Sequence, residues 1–427
     1  MSAIFLLIIL FLGLAIGVPV AISLGIASIS TMLIFTDQSL LSVSQKFFHT
    51  MQVYPLLAVP FFILAATFMT TGGVARRMID FANALVGHYR GGLAMASLLA
   101  CAFFSAVSGS APATVVAVGS VMIAGMIRSG YSEKFAAGVI CNAGTLGILI
   151  PPSLVMVIYG AVTESSIGNL FIAGLLPGIF LTIVMITTVA IIARKQNLPR
   201  QKKVSLKDTV KRGLDAFWGL LLLFIILGGI YSGIFTPTEA AAVSAVYAFF
   251  IAVFIYKDIK LTEVPKVLTD SAKVTVMLMF IIANAYVFAN VLTTEQIPQV
   301  ASEWIISLGL PAWGFLIVLN ILLLAAGNFM EPTSVVLILT PIVYPIALEL
   351  GIDPIHLGII MVLNMQMGLV TPPVGLNLFV TAGVANMSME KVIQASLPWL
   401  IVLLGVLIVI TYVPIISLIV PKLLGLV

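Results

Sequence analysis

Apolar stretches of about 20 residues, the length that crosses roughly 30 Å of hydrocarbon, recur from one end of this 427-residue chain to the other. They run near 3–35, 53–71, 92–127, 133–160, 168–193, 216–256, 273–293, 311–349, 355–384 and 393–420. Only 8% of the residues are charged and mean hydropathy is +1.22, whereas a soluble domain carries about 25% charged residues. A water-facing surface cannot be built from this composition. That excludes a cytosolic enzyme, a nucleic-acid binder and a disordered scaffold together. The first stretch, MSAIFLLIILFLGLAIG, has no basic n-region or small-residue cleavage site, so a retained span is expected. Cys101 and Cys141 sit singly in apolar runs, without the spacing of a disulfide framework or a zinc site.

The one long polar interval, 194–215, reads RKQNLPRQKKVSLKDTVKRGLD and holds eight of the twenty Lys and Arg residues. The positive-inside rule makes it a cytoplasmic linker. It separates two halves, 1–193 and 216–427, that resemble each other. SAVSGSAPATVV around residue 110 falls against AAGNFMEPTSVV around residue 330, and GILIPPS at 147–153 falls against GLVTPPV at 368–374. Gly130 and Gly351, and Pro177 and Pro398, recur at the same offset of 221; Pro19 and Pro237 recur at 218. This is an internal duplication. An odd number of spans in each half makes it an inverted repeat of the kind found in secondary transporters. The second copy holds two spans in 218–256, broken at Thr236-Pro237, which predicts two in 1–35, broken near Gly17-Val18-Pro19.

Four interruptions stand out. Stretches 92–127 and 311–349 are broken in the middle by SAVSGSAPAT and GNFMEPTS, as re-entrant hairpins would be. Segments 133–160 and 355–384 read as spans unwound at Asn142–Pro152 and Gln366–Pro373. Non-helical backbone at membrane depth survives only where protein or a watery cavity covers it, so both hairpin tips should face the interior. Proline has no N–H for the carbonyl four residues earlier. Pro112, Pro151, Pro332 and Pro372 are therefore expected to free the carbonyls of Ser108, Gly147, Asn328 and Gly368. Oxygens converging without full charge suit a monovalent hard cation such as Na⁺, since a divalent ion demands several carboxylates. The broken helix ends also present N–H groups and positive dipole ends, which suit an anion.

Carboxylates in apolar segments are few. Glu331, at the second hairpin tip, reads either as a proton carrier or as a cap on the returning helix; Glu239, after Thr-Pro-Thr, reads as a first-turn cap; Glu164 lies near a span end. His49, His88 and His356 form no cluster, and no HExxH, GxSxG or Walker-type run occurs. No catalytic constellation is present. Amphipathic pieces at 72–90 and 294–309 precede the hairpins and read as arm helices along the membrane surface.

The tips SGSAPAT and GNFMEPTS, with GILIPPS and GLVTPPVG, on a twice-repeated frame of this length, resemble the large membrane subunit of the tripartite ATP-independent periplasmic (TRAP) transporters, the DctM-like family. The similarity spans essentially the whole chain. It implies an all-α polytopic protein of two inverted repeats, each with a re-entrant hairpin and a broken helix, moving as an ion-transporter-superfamily-like elevator. It also implies sodium-driven import of an organic acid (a C4-dicarboxylate, sialic acid or a related carboxylate) across the bacterial inner membrane. A small four-helix membrane subunit and a periplasmic binding protein would be its partners, with Na⁺ as coupling ion and no other cofactor. Carried over to matching positions, one Na⁺ site would comprise Ser105 and Ser108 with carbonyls of Gly147, Ile150 and Pro152. The other would comprise Gly327, Gly368, Thr371 and Val374. Substrate would sit between the tips, near Ser110, Pro112, Thr114, Asn328, Thr333 and Asn377. An autonomous anion symporter without a binding protein, and an ion channel lined by the broken helices, are the competing readings.

Overall fold

The computed structural model describes residues 2–36, 40–307 and 309–426. A chain surrounded by hydrocarbon must satisfy its backbone within each segment, and the described residues accordingly contain helices and no strand. In chain order these are α1 (Ser2–Ala15), α2 (Val20–Phe35), α3 (Leu40–Thr50), α4 (Ala58–Thr71), α5 (Val74–Val86), α6 (Gly92–Ser108), α7 (Ala111–Arg128), α8 (Glu133–Ala143), α9 (Leu154–Thr163) and α10 (Ile167–Lys195). There follow α11 (Leu206–Tyr231), α12 (Pro237–Phe250), α13 (Val264–Thr294), α14 (Ile297–Ser307), α15 (Ala312–Phe329), α16 (Pro332–Glu349), α17 (Pro354–Gly368), α18 (Leu376–Ala385), α19 (Met389–Tyr412) and α20 (Ile415–Leu423). Nine helical stretches among the described residues are long and apolar enough to cross a membrane. The chain is a multi-pass membrane protein.

Helix ends follow the punctuation in the sequence. Gly17, in the left-handed region at φ 83°, and Pro19 separate α1 from α2, as the second copy suggested. Thr236 and Glu239 form a reciprocal capping box at the start of α12: Glu239 Oε2 accepts from the Thr236 N–H at 2.8 Å, and Thr236 Oγ1 accepts from the Glu239 N–H at 3.2 Å. The expected cap role of Glu239 holds. The polar interval is less irregular than it reads, because the Ser205 hydroxyl accepts from the Asp208 N–H and starts α11 at Leu206. Pro414, without an N–H to continue the helix, splits the apolar run 393–420 into α19 and α20. The arm pieces are helical, and α5 buries Val74, Met78 and Ile79 while Arg76 and Asp80 stay exposed.

The basic segment gathers one face of the molecule. Pro199 O accepts from Gly91 N and from the Tyr131 hydroxyl, both at 3.2 Å, and Gly87 O accepts from Gln201 N at 3.1 Å. Arg77 on α5 pairs with Asp258, after α12, at 2.5 Å and lies over the Tyr256 ring. On the opposite face, Tyr231 donates to Gly168 O at 2.9 Å and Asn169 to Leu426 O at 2.8 Å.

α8, α9 and α17 form the interior. Every residue of α17 from Ile355 to Gly368 is buried. The fully buried Tyr159 ties α9 to the start of α17 by donating to Pro354 O at 2.7 Å. Tyr159→Phe removes that side-chain hydrogen bond to a first-turn carbonyl of α17, a contribution of about 0.5–1.5 kcal/mol. Thermal unfolding in detergent should show a lower midpoint for this variant, whereas Tyr286→Phe, half-buried, should change it less.

Candidate functional site

All four interruptions are present as breaks in helix. α6 ends at Ser108 and α7 begins at Ala111, joined by Gly109 at φ 61°. α15 ends at Phe329 and α16 begins at Pro332. Between α8 and α9 lie a 3-10 turn, Gly144–Gly147, and an irregular segment to Ser153; between α17 and α18 lies Leu369–Gly375. Cis peptides occur at Pro151-Pro152 and Pro372-Pro373, one in each irregular segment.

The first break is buried and closely packed. Ser105, Ser108, Gly147, Ile150 and Pro152 are all buried. A Cβ on Gly147 would overlap the Ser105 side chain, and one on Gly109 would lie 3.2 Å from Pro152 O, so the irregular segment wraps the end of α6. Ser105 Oγ is 2.7 Å and Ser108 Oγ 3.2 Å from Thr114 Oγ1, which donates to Ser110 O at 2.9 Å. Thr114 thus serves the hydroxyl cluster behind the tip. No backbone N–H of the described residues reaches the carbonyls of Gly147, Ile150 or Pro152. Three bare carbonyls and two hydroxyls are therefore brought into one buried neighbourhood.

The second break is organised differently. Gly327 and Gly368 touch backbone to backbone, where a Cβ on either would crowd the other. Asn328 clamps the irregular segment: its Nδ2 donates to Pro372 O at 2.7 Å, and its Oδ1 accepts from Val374 N at 3.1 Å and Gly375 N at 3.3 Å. The expectation that Pro372 and Pro332 leave the carbonyls of Gly368 and Asn328 free is corrected. Gly368 O accepts from Thr371 N at 3.2 Å, and Asn328 O from Gly375 N at 3.3 Å. A tight turn and a returning strand of backbone supply the N–H groups that proline lacks. Thr371 donates its hydroxyl to Met367 O at 2.6 Å, and Val374 is 36% exposed.

Both tips line one cavity of about 450 Å³. Ser108 to Ala113 form one wall, Glu331 to Thr333 another, and Thr67, Thr70 and Thr71 of α4 with Met277 of α13 a third. Ser110, Pro112 and Thr333 therefore face the cavity; Thr114, Asn328 and Asn377 are buried behind its walls. Asn377 donates to Cys141 O at 3.5 Å and connects the second break to the end of α8. Glu331 caps α16, accepting from Ser334 N at 3.3 Å and from the Thr333 hydroxyl at 2.7 Å. The N-terminus of α7 thus carries no acid, whereas that of α16 does. The α4 threonines were missed in the sequence; Thr67 and Thr70 bond back to their own helix, to Ile63 O and Ala66 O, each at 2.7 Å. A buried polar chain was missed too: Asn364 to Asn320 at 2.6 Å, Asn320 to Thr411 at 3.3 Å, and His356 against Thr411 O and Ser417.

Residues 7–416 match the sequence model of a family described as "Tripartite ATP-independent periplasmic transporter, DctM component". The chain is 61% identical over 403 residues to the C4-dicarboxylate TRAP transporter large permease protein DctM of Pseudomonas aeruginosa, covering 94% of each. It is 56% identical to the protein of that name from Vibrio cholerae, over 99% of this chain and 98% of the other. It is 34% identical to the sialic acid TRAP transporter large permease protein SiaM of Vibrio cholerae, over 95% of each. Among solved structures it resembles the Alcanivorax borkumensis YdaH transporter with a TM-score of 0.52 over 82% of this chain and 84% of that one, at 13% identity, a likeness of fold.

Two substitutions probe the breaks. Gly147→Ala should be poorly tolerated, with loss of monodisperse protein on size-exclusion chromatography, unless Ser105→Gly is added to make room. Asn328→Ala should speed amide hydrogen exchange across 371–375 while leaving 148–153 unchanged; equal protection in both proteins would contradict the clamp.

Proposed function

Because this chain belongs to the DctM-component family of TRAP transporters, as a large permease subunit rather than an enzyme, we propose that it imports a C4-dicarboxylate across the bacterial inner membrane, coupled to Na⁺. The observation that carries this reading is the single cavity shared by the two helix tips, backed on one side by the bare carbonyls of the first break. Substrate carboxylate would take the first-turn N–H groups of α7 and the hydroxyls of Ser110 and Thr333. Sodium would take Ser105, Ser108, Gly147, Ile150 and Pro152 at one break and Gly327, Gly368, Thr371 and Val374 at the other. Carbonyls that already accept one hydrogen bond retain a second lone pair for a cation. Two monovalent cations beside a dianion leave little net charge to move through low dielectric, where an unpaired charge is costly.

Orientation follows from charge. With the basic segment 196–205 in the cytoplasm, α10 crosses the membrane to that side and α11 from it. Helices α6 and α7 then open toward the cytoplasm, and α15 and α16 toward the periplasm, which is the inverted relation of the two halves. The irregular segment of the first break is buried, but Pro373, Val374, Leu376 and Phe379 of the second are exposed. An elevator accounts for this asymmetry. The hairpins and broken helices would form the moving body, held here toward the cytoplasm, against a frame of α4, α11, α12 and α13 linked through the arms α5 and α14. The small membrane subunit would brace that frame, and a periplasmic binding protein would deliver the substrate. The 61% identity to a C4-dicarboxylate permease favours a dicarboxylate over sialic acid.

Proteoliposomes with the small subunit and the binding protein should accumulate succinate under an inward Na⁺ gradient. Uptake persisting at full rate in Na⁺-free buffer would refute the coupling. Ser108→Ala and Thr371→Ala should each raise the Na⁺ concentration for half-maximal uptake about tenfold, roughly 1.4 kcal/mol of lost binding, with insertion into the membrane unchanged.

A further inference from the structure

One substrate carboxylate placed against the hairpin tips leaves the other to be held by the rest of the central cavity. Among the described residues lining that cavity, Glu331 alone is ionisable and none is basic. Both Glu331 oxygens are engaged, by the Thr333 hydroxyl at 2.7 Å and the Ser334 N–H at 3.3 Å, and their charge repels an approaching carboxylate. A second carboxylate must therefore be held by neutral donors on another wall.

Helix α4 supplies them. Its lining residues Ile63, Ala66, Thr67, Thr70 and Thr71 recur at the i, i+3, i+4, i+7, i+8 spacing of a single helix face. The stripe begins aliphatic and ends in hydroxyls, with Thr67 and Thr71 about 6 Å apart along the axis. Thr71 is exposed, and its hydroxyl has no hydrogen-bond partner among the described residues. Thr67 and Thr70 donate to Ile63 O and Ala66 O, carbonyls that also accept the N–H groups of their own helix. Turning either hydroxyl toward a ligand therefore strands no backbone group.

We propose that Thr67, Thr70 and Thr71 form the subsite for the second carboxylate of the substrate. This rests on the dicarboxylate reading above and adds a cause for selectivity. The tips hold one end of any carboxylate, whereas the α4 hydroxyls hold the far end only of a diacid. A monocarboxylate of the same length brings a methyl group to those hydroxyls and leaves them unpaired, and a site built to hydrogen-bond its ligand rejects an analogue lacking the matching group. In the elevator proposed above, α4 stands in the frame while the tips travel. The second carboxylate then meets its hydroxyls only with the tips at the level seen in this structure, so a diacid favours this arrangement by its differential affinity and a monoacid does not.

The test reads binding directly, on the permease with its small subunit in detergent at saturating Na⁺, by thermal unfolding across concentration series of succinate and of butyrate. Succinate should stabilise the wild type half-maximally at a concentration about tenfold below that of butyrate. Combining Thr67→Val, Thr70→Val and Thr71→Val should bring the two within about twofold by weakening succinate alone. Thr71→Val by itself, which removes no hydrogen bond of the fold, should narrow the gap about threefold. An unchanged butyrate response certifies a folded permease with intact tips. An unaltered ratio in these variants overturns the subsite, as do equal weakening of both acids, an equal effect from Thr188→Val on α10, or a wild type that does not discriminate. Stabilisation of the wild type by neither acid would instead overturn the cavity as the substrate site, and with it the proposed function.

Discussion

Hydrocarbon offers no hydrogen-bond partner, so a peptide group left bare within the membrane must be enclosed by the protein or given something to hold. Everything distinctive about this chain follows from where it leaves such groups. The long scaffold helices satisfy themselves and need only apolar surfaces. At the two breaks the backbone stops satisfying itself, and the rest of the molecule is arranged to cover it: α17 is buried along its length, α9 is docked through Tyr159, and the ends of α6 and α15 are pressed against the irregular segments.

The two breaks solve the same problem by different means. At the first, close packing of Gly147 on Ser105 and of Gly109 on Pro152 leaves carbonyls without donors. At the second, one asparagine side chain makes three hydrogen bonds to the irregular segment, and turns supply the missing N–H groups. The first break is therefore closely packed and short of hydrogen-bond donors, which suits a cation-holding role. The second is self-satisfied and more exposed. Glu331 adds a further asymmetry, since it caps the N-terminus of α16 with a carboxylate while Ser110 caps that of α7.

Much of this was legible in the sequence because proline and glycine act locally. Pro112, Pro151, Pro332 and Pro372 fix where helices stop regardless of what packs around them, and the recurrence at 221 residues ties the two sets together. Capping by Thr236 and Glu239 was readable for the same reason. What proline cannot reveal is which N–H arrives from elsewhere: Gly375 and Thr371 answer carbonyls that local rules left open. Asn328 read as a substrate ligand because it stands at a tip, but its amide turns away from the cavity toward Pro372 and Val374. The break at Pro414 was hidden by the unbroken hydropathy around it, and the chain of Asn320, Asn364, Thr411 and His356 by the wide spacing of its members.

Charge completes the division of labour. Neutral oxygens line the interior, and eight of the twenty Lys and Arg residues lie in the one long polar interval. The central claim is that the bare carbonyls of the first break hold sodium. High-resolution cryo-electron microscopy maps of one preparation in NaCl and in choline chloride test it most directly. A compact density bounded by Ser105, Ser108 and the carbonyls of Gly147, Ile150 and Pro152 should be present in NaCl and absent in choline. The same features in both maps, or none in either, would contradict it.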